Sequence, residues 1–366
     1  RQYGVFLHNT SLSSGAGNIL IRGEGHANGN NNIGVRFEEG SNVNSTSGEI
    51  SIAGLGGSDG SASDGSLGFY LQRSSIASTT GAITITGTAR AASGMYNFGL
   101  GMEGTGANTA RVESASGAIT LVGIGSGDAA TGYGVLLTGT ARVLSSGTSD
   151  IILTATSPDA GTDFRVEGAG SAIFGGPSAT GDITVNANTI DWGAGLLTLQ
   201  STGGNLLIQP RTATTSIGIG DGAAGTLNLD NAELNGIQNG FSSITIGHAS
   251  GSGVVDVRSH TFKDPLIIRT PTGNGDITLN GALATGSGTE AGSITLEAGR
   301  SIFGTTGGGR SITTQGQGIT LNADRDETDG GNIQLTGTTV TSNGGAIVLG
   351  GGADPLTTAA IGSGTG

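Results

Sequence analysis

The sequence predicts an all-β protein, a right-handed parallel β-helix (solenoid) with three short strands per coil. A strand motif such as GAITL at 117–121 recurs along the chain, and turns rich in glycine, serine and asparagine separate its copies. The 73 glycines among 366 residues disfavour long helices, in which each costs about 1 kcal/mol relative to alanine. Aromatic residues make up only 4% of the chain, which favours a narrow core of small β-branched side chains.

The first strand of each repeat is predicted from a pattern of glycine, an apolar residue, any residue and a second apolar residue. Successive copies lie roughly 30 to 35 residues apart, a spacing typical of solenoid repeats. The copies begin at Gly4, Gly34, Gly68, Gly99 and Gly134.

The second and third strands complete the repeat. The second has one apolar residue between polar or small neighbours, as at Val43 and Ile76. The third alternates with period two, so Ile19 and Ile21 face one side and Leu20 the other. Three such strands bury an apolar face only when repeats stack in parallel. A β-sandwich or propeller is the alternative, but such antiparallel folds need hairpin turns.

The repeat style divides the chain without a linker. Residues 1–157 are predicted to form long coils with loop insertions, and 181–366 to continue the solenoid with shorter coils. Residues 158–180, with Pro158 and Pro177, form a joint within it. The insertions all precede the first strand of the next repeat and should form one stripe: they are 24–32, 55–66, 88–96 and 124–131.

Charge and composition exclude several function classes. The net charge is -13 and Lys263 is the single lysine, which argues against nucleic-acid binding and against a polybasic membrane patch. No apolar run approaches the roughly 20 residues that span a bilayer, so no membrane insertion is expected. The absence of cysteine excludes disulfides, thiolate metal sites and a cysteine nucleophile.

Several of the strand motifs resemble those of a known group of secreted proteins. The runs at 181–187, 275–281 and 318–323, and the longer block at 214–257, resemble large exoproteins of the filamentous haemagglutinin type. Autotransporter passenger domains are similar. The resemblance implies right-handed β-helical rods on Gram-negative cells, which serve adhesion, biofilm and contact functions and generally contain no catalytic residues.

The expected function follows from this resemblance and from the lack of a recognisable catalytic motif. The chain is expected to be a non-enzymatic structural segment of a large secreted bacterial surface adhesin or extracellular filament, located outside the cell. The alternative is a β-helical polysaccharide lyase or hydrolase acting on an acidic or neutral glycan. An enzyme of that kind should concentrate carboxylates in one cleft, whereas the acidic residues here are spread along the chain.

The best candidate for an enzyme face is the stretch VVDVRSH. Asp256, Arg258 and His260 alternate with other residues, so all three are predicted to point outward from one strand. The alternative interpretation is a solvated face with an exposed ion pair worth about 0–1 kcal/mol.

A calcium site is predicted in the acidic stretch 322–331. Asp324, Asp326 and Asp329 supply hard oxygen ligands of the kind that Ca²⁺ prefers. The alternative is a polar loop, and no other cofactor is expected. Trp192 is predicted either to stack on a sugar or to pack beneath a loop.

The predicted partners follow from the solenoid ends and the exposed loops. The chain opens on YGVFL and closes on AAIGSGTG, so both ends are expected to be uncapped. Open ends should stack on neighbouring coils of a longer chain or on head-to-tail copies of the same chain. A glycan or protein of a host or bacterial surface is the other expected partner.

Overall fold

The computed structural model describes residues 2–27, 30–57, 64–90, 94–126, 131–158, 161–193, 195–305, 308–328 and 330–362. The chain divides into two compact units, Arg1–Gly204 and Asn205–Gly366. In each unit the strands stack in parallel, consistent with a right-handed parallel β-helix. The predicted all-β fold class is therefore confirmed.

Unit 1 is built from twenty strands within the described ranges. In chain order they are β1 Gln2–His8, β2 Ser11–Ser14, β3 Ile19–Glu24, β4 Asn32–Glu38, β5 Asn42–Ser45, β6 Ile50–Leu55, β7 Leu67–Gln72, β8 Ser75–Ser78, β9 Ile83–Thr88, β10 Leu100–Gly104, β11 Arg111–Ser114, β12 Ile119–Ile124, β13 Val135–Gly139, β14 Arg142–Ser145, β15 Ile151–Thr156, β16 Phe164–Glu167, β17 Ala172–Gly175, β18 Ile183–Asn186, β19 Ile190–Asp191 and β20 Leu197–Gln200.

Every third strand of unit 1 pairs in parallel, so three sheets run along the unit. Sheet A contains β1, β4, β7, β10, β13, β16 and β19, sheet B begins with β2 and β5, and sheet C begins with β3 and β6. Each coil contributes one strand to each sheet, as the repeat predicted. Strands β16 and β17, within the predicted joint at 158–180, continue the register of the preceding coils.

The interior of unit 1 is a set of columns of like residues. In sheet C, Ile50 pairs with Ile83, Ile83 with Ile119, and Ile119 with Ile151, and all four side chains are buried. Each fully buried isoleucine contributes about 1.5–3 kcal/mol by leaving water. Trp192 belongs to this interior, because it is 1% exposed and its ring meets Phe164 edge-on at 5.9 Å.

Sheets A and C approach each other at two facing glycine columns, which we call the glycine neck. One column lies near the end of the first four sheet C strands, as at Gly54 and Gly87, and the other near the start of the first five sheet A strands, as at Gly68 and Gly99. A Cβ on Gly54 would collide with the carbonyl oxygen of Gly68, and one on Gly87 with that of Gly99. Only glycine permits this contact between backbones.

The loop insertions of unit 1 emerge outside the glycine neck. Each leaves the end of a sheet C strand and returns to the start of a sheet A strand, so the insertions lie along one edge of the unit, as predicted. Residues 28–29, 58–63, 91–93 and 127–130 of these loops are outside the described ranges. The described residues just before each sheet A strand, such as Asn31, Gly65 and Tyr96, are called the loop bases. Backbone hydrogen bonds join them between coils: Asn31 N–H donates to the Asp64 carbonyl at 2.7 Å, and Gly65 N–H donates to the Met95 carbonyl at 2.9 Å.

Unit 2 repeats the three-strand coil with shorter strands. Its strands are β21 Asn205–Gln209, β22 Ile217–Ile219, β23 Leu227–Leu229, β24 Ser243–Ile246, β25 Val255–Val257, β26 His260–Phe262, β27 Leu266–Thr270, β28 Ile277–Leu279, β29 Ala282–Thr285, β30 Ile294–Ala298, β31 Ile302–Gly304, β32 Arg310–Thr313, β33 Ile319–Ala323, β34 Ile333–Leu335, β35 Thr338–Thr341 and β36 Ile347–Gly351.

Within unit 2 the strands again pair with every third neighbour, except that β23 pairs with the preceding strand, β22. Sheet D contains β21, β24, β27, β30, β33 and β36, sheet E runs β23, β22, β25, β28, β31 and β34, and sheet F runs β26, β29, β32 and β35. One helical turn, α1 Asn231–Leu234, follows β23, and a 3₁₀ turn spans Gly288–Glu290. Asp230 and Glu233 form a capping box that starts α1. In the described ranges, no helix has the length and apolar character needed to cross a membrane.

Candidate functional site: an aromatic groove on sheet A

The strongest candidate site is a groove of about 350 Å³ on the outer face of sheet A, beside the loop bases. Its lining includes Arg36, Asp64, Tyr70, Gln72, Tyr96 and Phe98, and we call it the aromatic groove. Sheet A can present these residues together because parallel register aligns equivalent positions of successive coils along one face.

The floor of the groove comes from one outward column of sheet A. Arg36 pairs with Tyr70 and Tyr70 pairs with Gly101. A Cβ on Gly101 would lie 2.6 Å from the Tyr70 ring, so this glycine leaves room for the ring to lie across the next strand. The column therefore has a large planar side chain next to a position without one, which shapes the groove.

Arg36 is held between two aromatic rings. Its guanidinium carbon lies 5.8 Å from the ring centre of Tyr3 and 5.3 Å from that of Tyr70, within cation–π range. Its Nε donates to Glu38 at 2.7 Å and its Nη2 to Gln72 Oε1 at 2.9 Å. The arginine is 9% exposed, and Glu38 compensates its charge.

Tyr70 is fixed at both ends. Its ring contacts the Arg36 guanidinium, and its hydroxyl donates to the Glu103 carboxylate. Burial raises the pKa of Tyr70, and the bond to Glu103 raises it further, so the phenol stays neutral at physiological pH.

The apolar side of the groove is a cluster that lies on the outer face, apart from the coil interior. Ile33, Leu67, Phe98, Tyr133 and Leu136 are all buried in it. Phe98 and Tyr133 stack at 5.5 Å, with an angle of 18° between their rings. This cluster anchors the loop bases to sheet A and gives the groove a rigid wall.

Tyr96 forms the rim of the groove. Its side chain is 56% exposed, its backbone N–H donates to Thr131 Oγ1 at 3.0 Å, and its ring meets Phe98 edge-on at 6.3 Å. Its φ is 60°, in the left-handed region that bulky residues rarely adopt. Nearby, Asp64 Oδ1 accepts from Met95 N–H at 2.7 Å, which fixes a carboxylate at the same rim.

A second groove, of about 430 Å³, lies at the sheet C side of the same loops. Arg22, Glu24, Leu55, Thr86 and Thr88 are among the residues that line it, and none of its lining residues is aromatic. Glu24 is paired with Arg90 at 2.5 Å. This groove offers threonine and aliphatic surface with few directional groups, so it is the weaker candidate site.

The structure corrects the predicted enzyme face. Asp256 lies in β25 on sheet E and His260 in β26 on sheet F, because the chain turns at Arg258 and Ser259. Asp256 accepts from Asn280 Nδ2 at 2.7 Å and from Arg258 Nε at 3.2 Å. The three residues are therefore not aligned on one strand face as the alternation predicted.

His260 sits apart from that ion pair in a partly buried environment. Its Nδ1 lies 2.9 Å from Asn231 Oδ1, and its ring meets Phe262 edge-on at 4.7 Å. Burial lowers the pKa of His260 to about 4, with a smaller contribution from Lys263 that Asp221 opposes. The imidazole is therefore neutral at physiological pH. Because an amide oxygen can only accept, the contact with Asn231 Oδ1 assigns the ring proton to Nδ1.

The structure describes two of the three residues predicted to bind calcium. Asp324 is buried, and Asp326 accepts from Gly273 N–H at 2.5 Å, while Asp329 lies outside the described residues. Asp326 lines a groove together with Glu297 and two cations, Arg269 and Arg325, and Arg325 lies 3.9 Å from the Glu297 carboxylate. No group of three or more histidine or acidic side chains in the described ranges is arranged to hold a metal ion. The calcium site stays a prediction.

Sequence reasoning missed the aromatic groove, although a signal was present. The third position of the repeat pattern, where any residue was accepted, is the outward column that holds Phe6, Arg36 and Tyr70. Large planar side chains at that position in three successive repeats are unusual in a chain with 4% aromatic residues. Tyr96 gave no such signal, because its role depends on a backbone conformation.

The comparisons with known proteins are negative. No family model matches the chain, and neither the curated proteins nor the solved structures give a match. The resemblance to filamentous haemagglutinin-type exoproteins therefore stays a hypothesis, and function must be argued from the fold and the aromatic groove.

Proposed function

We propose that this chain is a non-enzymatic structural segment of a large secreted bacterial surface adhesin or extracellular filament. The observation that supports it most is the aromatic groove beside the stripe of loops. Loops on a regular scaffold are where binding surfaces are usually placed, and this scaffold repeats its coil with residues in register.

The same proposal includes association through the exposed end of sheet D. Ile347 and Leu349 continue two inward columns of sheet D, after Ile319 and Leu321, yet they are 46% and 53% exposed. Exposed apolar columns and unpaired strand edges favour the addition of a further strand. We propose that a similar coil, from a longer chain or from a second copy, covers this end.

The lyase or hydrolase alternative has weaker support. Its candidate groups Asp256 and His260 lie on different sheets, and each is engaged by an asparagine, Asn280 and Asn231 respectively. An aspartate and a histidine on separate sheets do not form the pair of carboxyl groups that glycoside hydrolysis requires.

The test compares attachment with cleavage. Beads coated with the purified chain are expected to adhere to bacterial or animal cell layers more than albumin-coated beads do. Polygalacturonate and neutral polysaccharides incubated with the chain are expected to release no reducing ends. Adhesion equal to that of albumin beads, or steady release of reducing ends, would contradict the proposed function.

A further inference from the structure

We infer that the aromatic groove is a binding site for a neutral saccharide, with the Tyr96 ring as its stacking surface. This inference rests on the proposed attachment function and names the site and the ligand class that would carry it. The ligand is an uncharged pyranose residue of a surface glycan, held through its C–H face and its hydroxyl groups.

The first step is the conformation of Tyr96 compared with its equivalents. Asn31, Gly65 and Tyr96 occupy the same position of three successive coils, two residues before Ile33, Leu67 and Phe98. All three have left-handed φ angles, of 59°, 71° and 60°. Asparagine and glycine adopt this conformation readily, whereas tyrosine does so at a steric cost.

The second step is that packing does not explain the tyrosine. The side chain is 56% exposed, and its ring contact with Phe98 is a single edge-on approach at 6.3 Å. The neighbouring coils close the same turn with a small side chain or none. A strained, exposed ring at the mouth of a groove points to a ligand, because strain of this kind collects at functional sites.

The third step is the set of polar groups around the ring. Asp64 is fixed by the Met95 N–H, and Gln72 is fixed by Arg36, which occupies its Oε1 and leaves the amide N–H groups for another acceptor. A carboxylate that accepts and an amide that donates suit the hydroxyls of a sugar, each of which can do both. Aromatic rings supply the complementary apolar surface.

Charge decides between ligand classes. The one cation in the groove lining, Arg36, is neutralised by Glu38 and covered by Tyr3 and Tyr70. Asp64 and Glu103 then leave the site acidic, and the whole chain carries a net charge of -13. Nucleic acids and sialylated or sulfated glycans are therefore repelled.

The volume of about 350 Å³ lies at the small end for ligand pockets and suits about one or two sugar rings.

The test is titration calorimetry of the full chain with four neutral disaccharides (cellobiose, maltose, lactose and diacetylchitobiose) and with sialyllactose. At least one neutral disaccharide is expected to bind saturably and more tightly than sialyllactose. Tyr96→Asn should weaken that binding by at least roughly tenfold, as expected for loss of a central aromatic contact, whereas Tyr96→Phe should retain it.

Two controls separate binding from folding. Asparagine tolerates a left-handed φ, so Tyr96→Asn should melt no lower than the natural chain. Phe6→Asn removes another exposed ring from the same face outside the groove lining and should leave binding unchanged. Absence of binding to every neutral disaccharide, unchanged binding by Tyr96→Asn, preference for sialyllactose, or a lower melting temperature of Tyr96→Asn would each overturn the inference.

The outcome is distinguishable from failure of the proposed function. Coated beads that adhere equally well with Tyr96→Asn, together with no disaccharide binding, would overturn the saccharide site and leave attachment in place. Disaccharide binding that depends on Tyr96, with beads that do not adhere, would support the site and contradict the attachment function.

Discussion

At the scale of single residues, Arg36 shows how the outer face of sheet A is stabilised. It joins two aromatic rings, a carboxylate and an amide from three coils while remaining 9% exposed. A planar guanidinium can stack on both rings while its N–H groups point outward in its own plane towards Glu38 and Gln72. An ammonium group cannot do both.

We therefore predict that Arg36→Lys destabilises unit 1 by about 1–2 kcal/mol, because stacking and the directed bonds are both lost. The measurement is the urea midpoint of unfolding, followed by circular dichroism. Arg22→Lys is the matched control, because Arg22 is exposed and should tolerate the change. Equal midpoints for the two variants would contradict the proposed role of Arg36.

His260 predicts a pH dependence of stability. Its pKa falls from 6.5 in the unfolded chain to about 4 in the folded protein, so unfolding takes up a proton below pH 6.5. The stabilising contribution is therefore fully present above about pH 6.5 and is lost as the pH falls towards 4. The loss amounts to at most about 3.5 kcal/mol, since one pKa unit corresponds to about 1.4 kcal/mol.

The measurement is the urea midpoint of the natural chain and of His260→Gln between pH 8 and pH 4. Glutamine can still donate to Asn231 but does not titrate in this range, so the variant should lose less stability on acidification. Parallel pH profiles for the two proteins would show that another group controls the acid response.

At the scale of elements, the glycine neck is the feature on which the close approach of sheets A and C depends. Its two columns bring the ends of sheet C strands against the starts of sheet A strands without side chains between them. A methyl group there cannot be accommodated by a rotamer change, because the atoms it meets are backbone atoms.

Gly54→Ala is therefore expected to destabilise unit 1 by roughly 1–3 kcal/mol or more, the range for overpacked interiors. Gly15→Ala is the matched control, since a Cβ on Gly15 would meet no atom within 4 Å. Thermal unfolding of the two variants measures the difference. A melting temperature of Gly54→Ala equal to that of Gly15→Ala would contradict the proposed need for glycine at the neck.

At the scale of the whole molecule, the sequence predicts the coil well and the site poorly. Alternation of apolar residues, as in Ile50 and Ile52, determines which side faces the interior, and the repeat length then sets the strand pairing. The aromatic groove was missed because it depends on which outward residues meet across coils and on a backbone angle at Tyr96. The prediction that Asp256, Arg258 and His260 share one strand face is wrong, because side chains alternate regularly only while a strand continues.

Association through the exposed end of sheet D is the prediction at this scale. Leu349 continues an inward column of sheet D but is itself 53% exposed. A charge placed there by Leu349→Lys should therefore suppress addition of a further coil without disturbing the buried part of the column. Sedimentation velocity across a concentration series is expected to show self-association of the natural chain and a smaller degree of it in the variant. Thr339→Lys, on the exposed face of β35, is the control. A natural chain that remains monomeric at every concentration would contradict the prediction for copies of this chain.

The glycine neck also bears on how such a chain can change over evolutionary time. Since the two backbones already touch at the neck, the interior of each coil that carries the neck is complete before the inserted loop begins. A mutation, deletion or duplication within a loop then leaves the stacked columns as they were, and selection on the loop is separated from selection on folding. Variation should accumulate along that single edge, so one scaffold can acquire new binding preferences coil by coil.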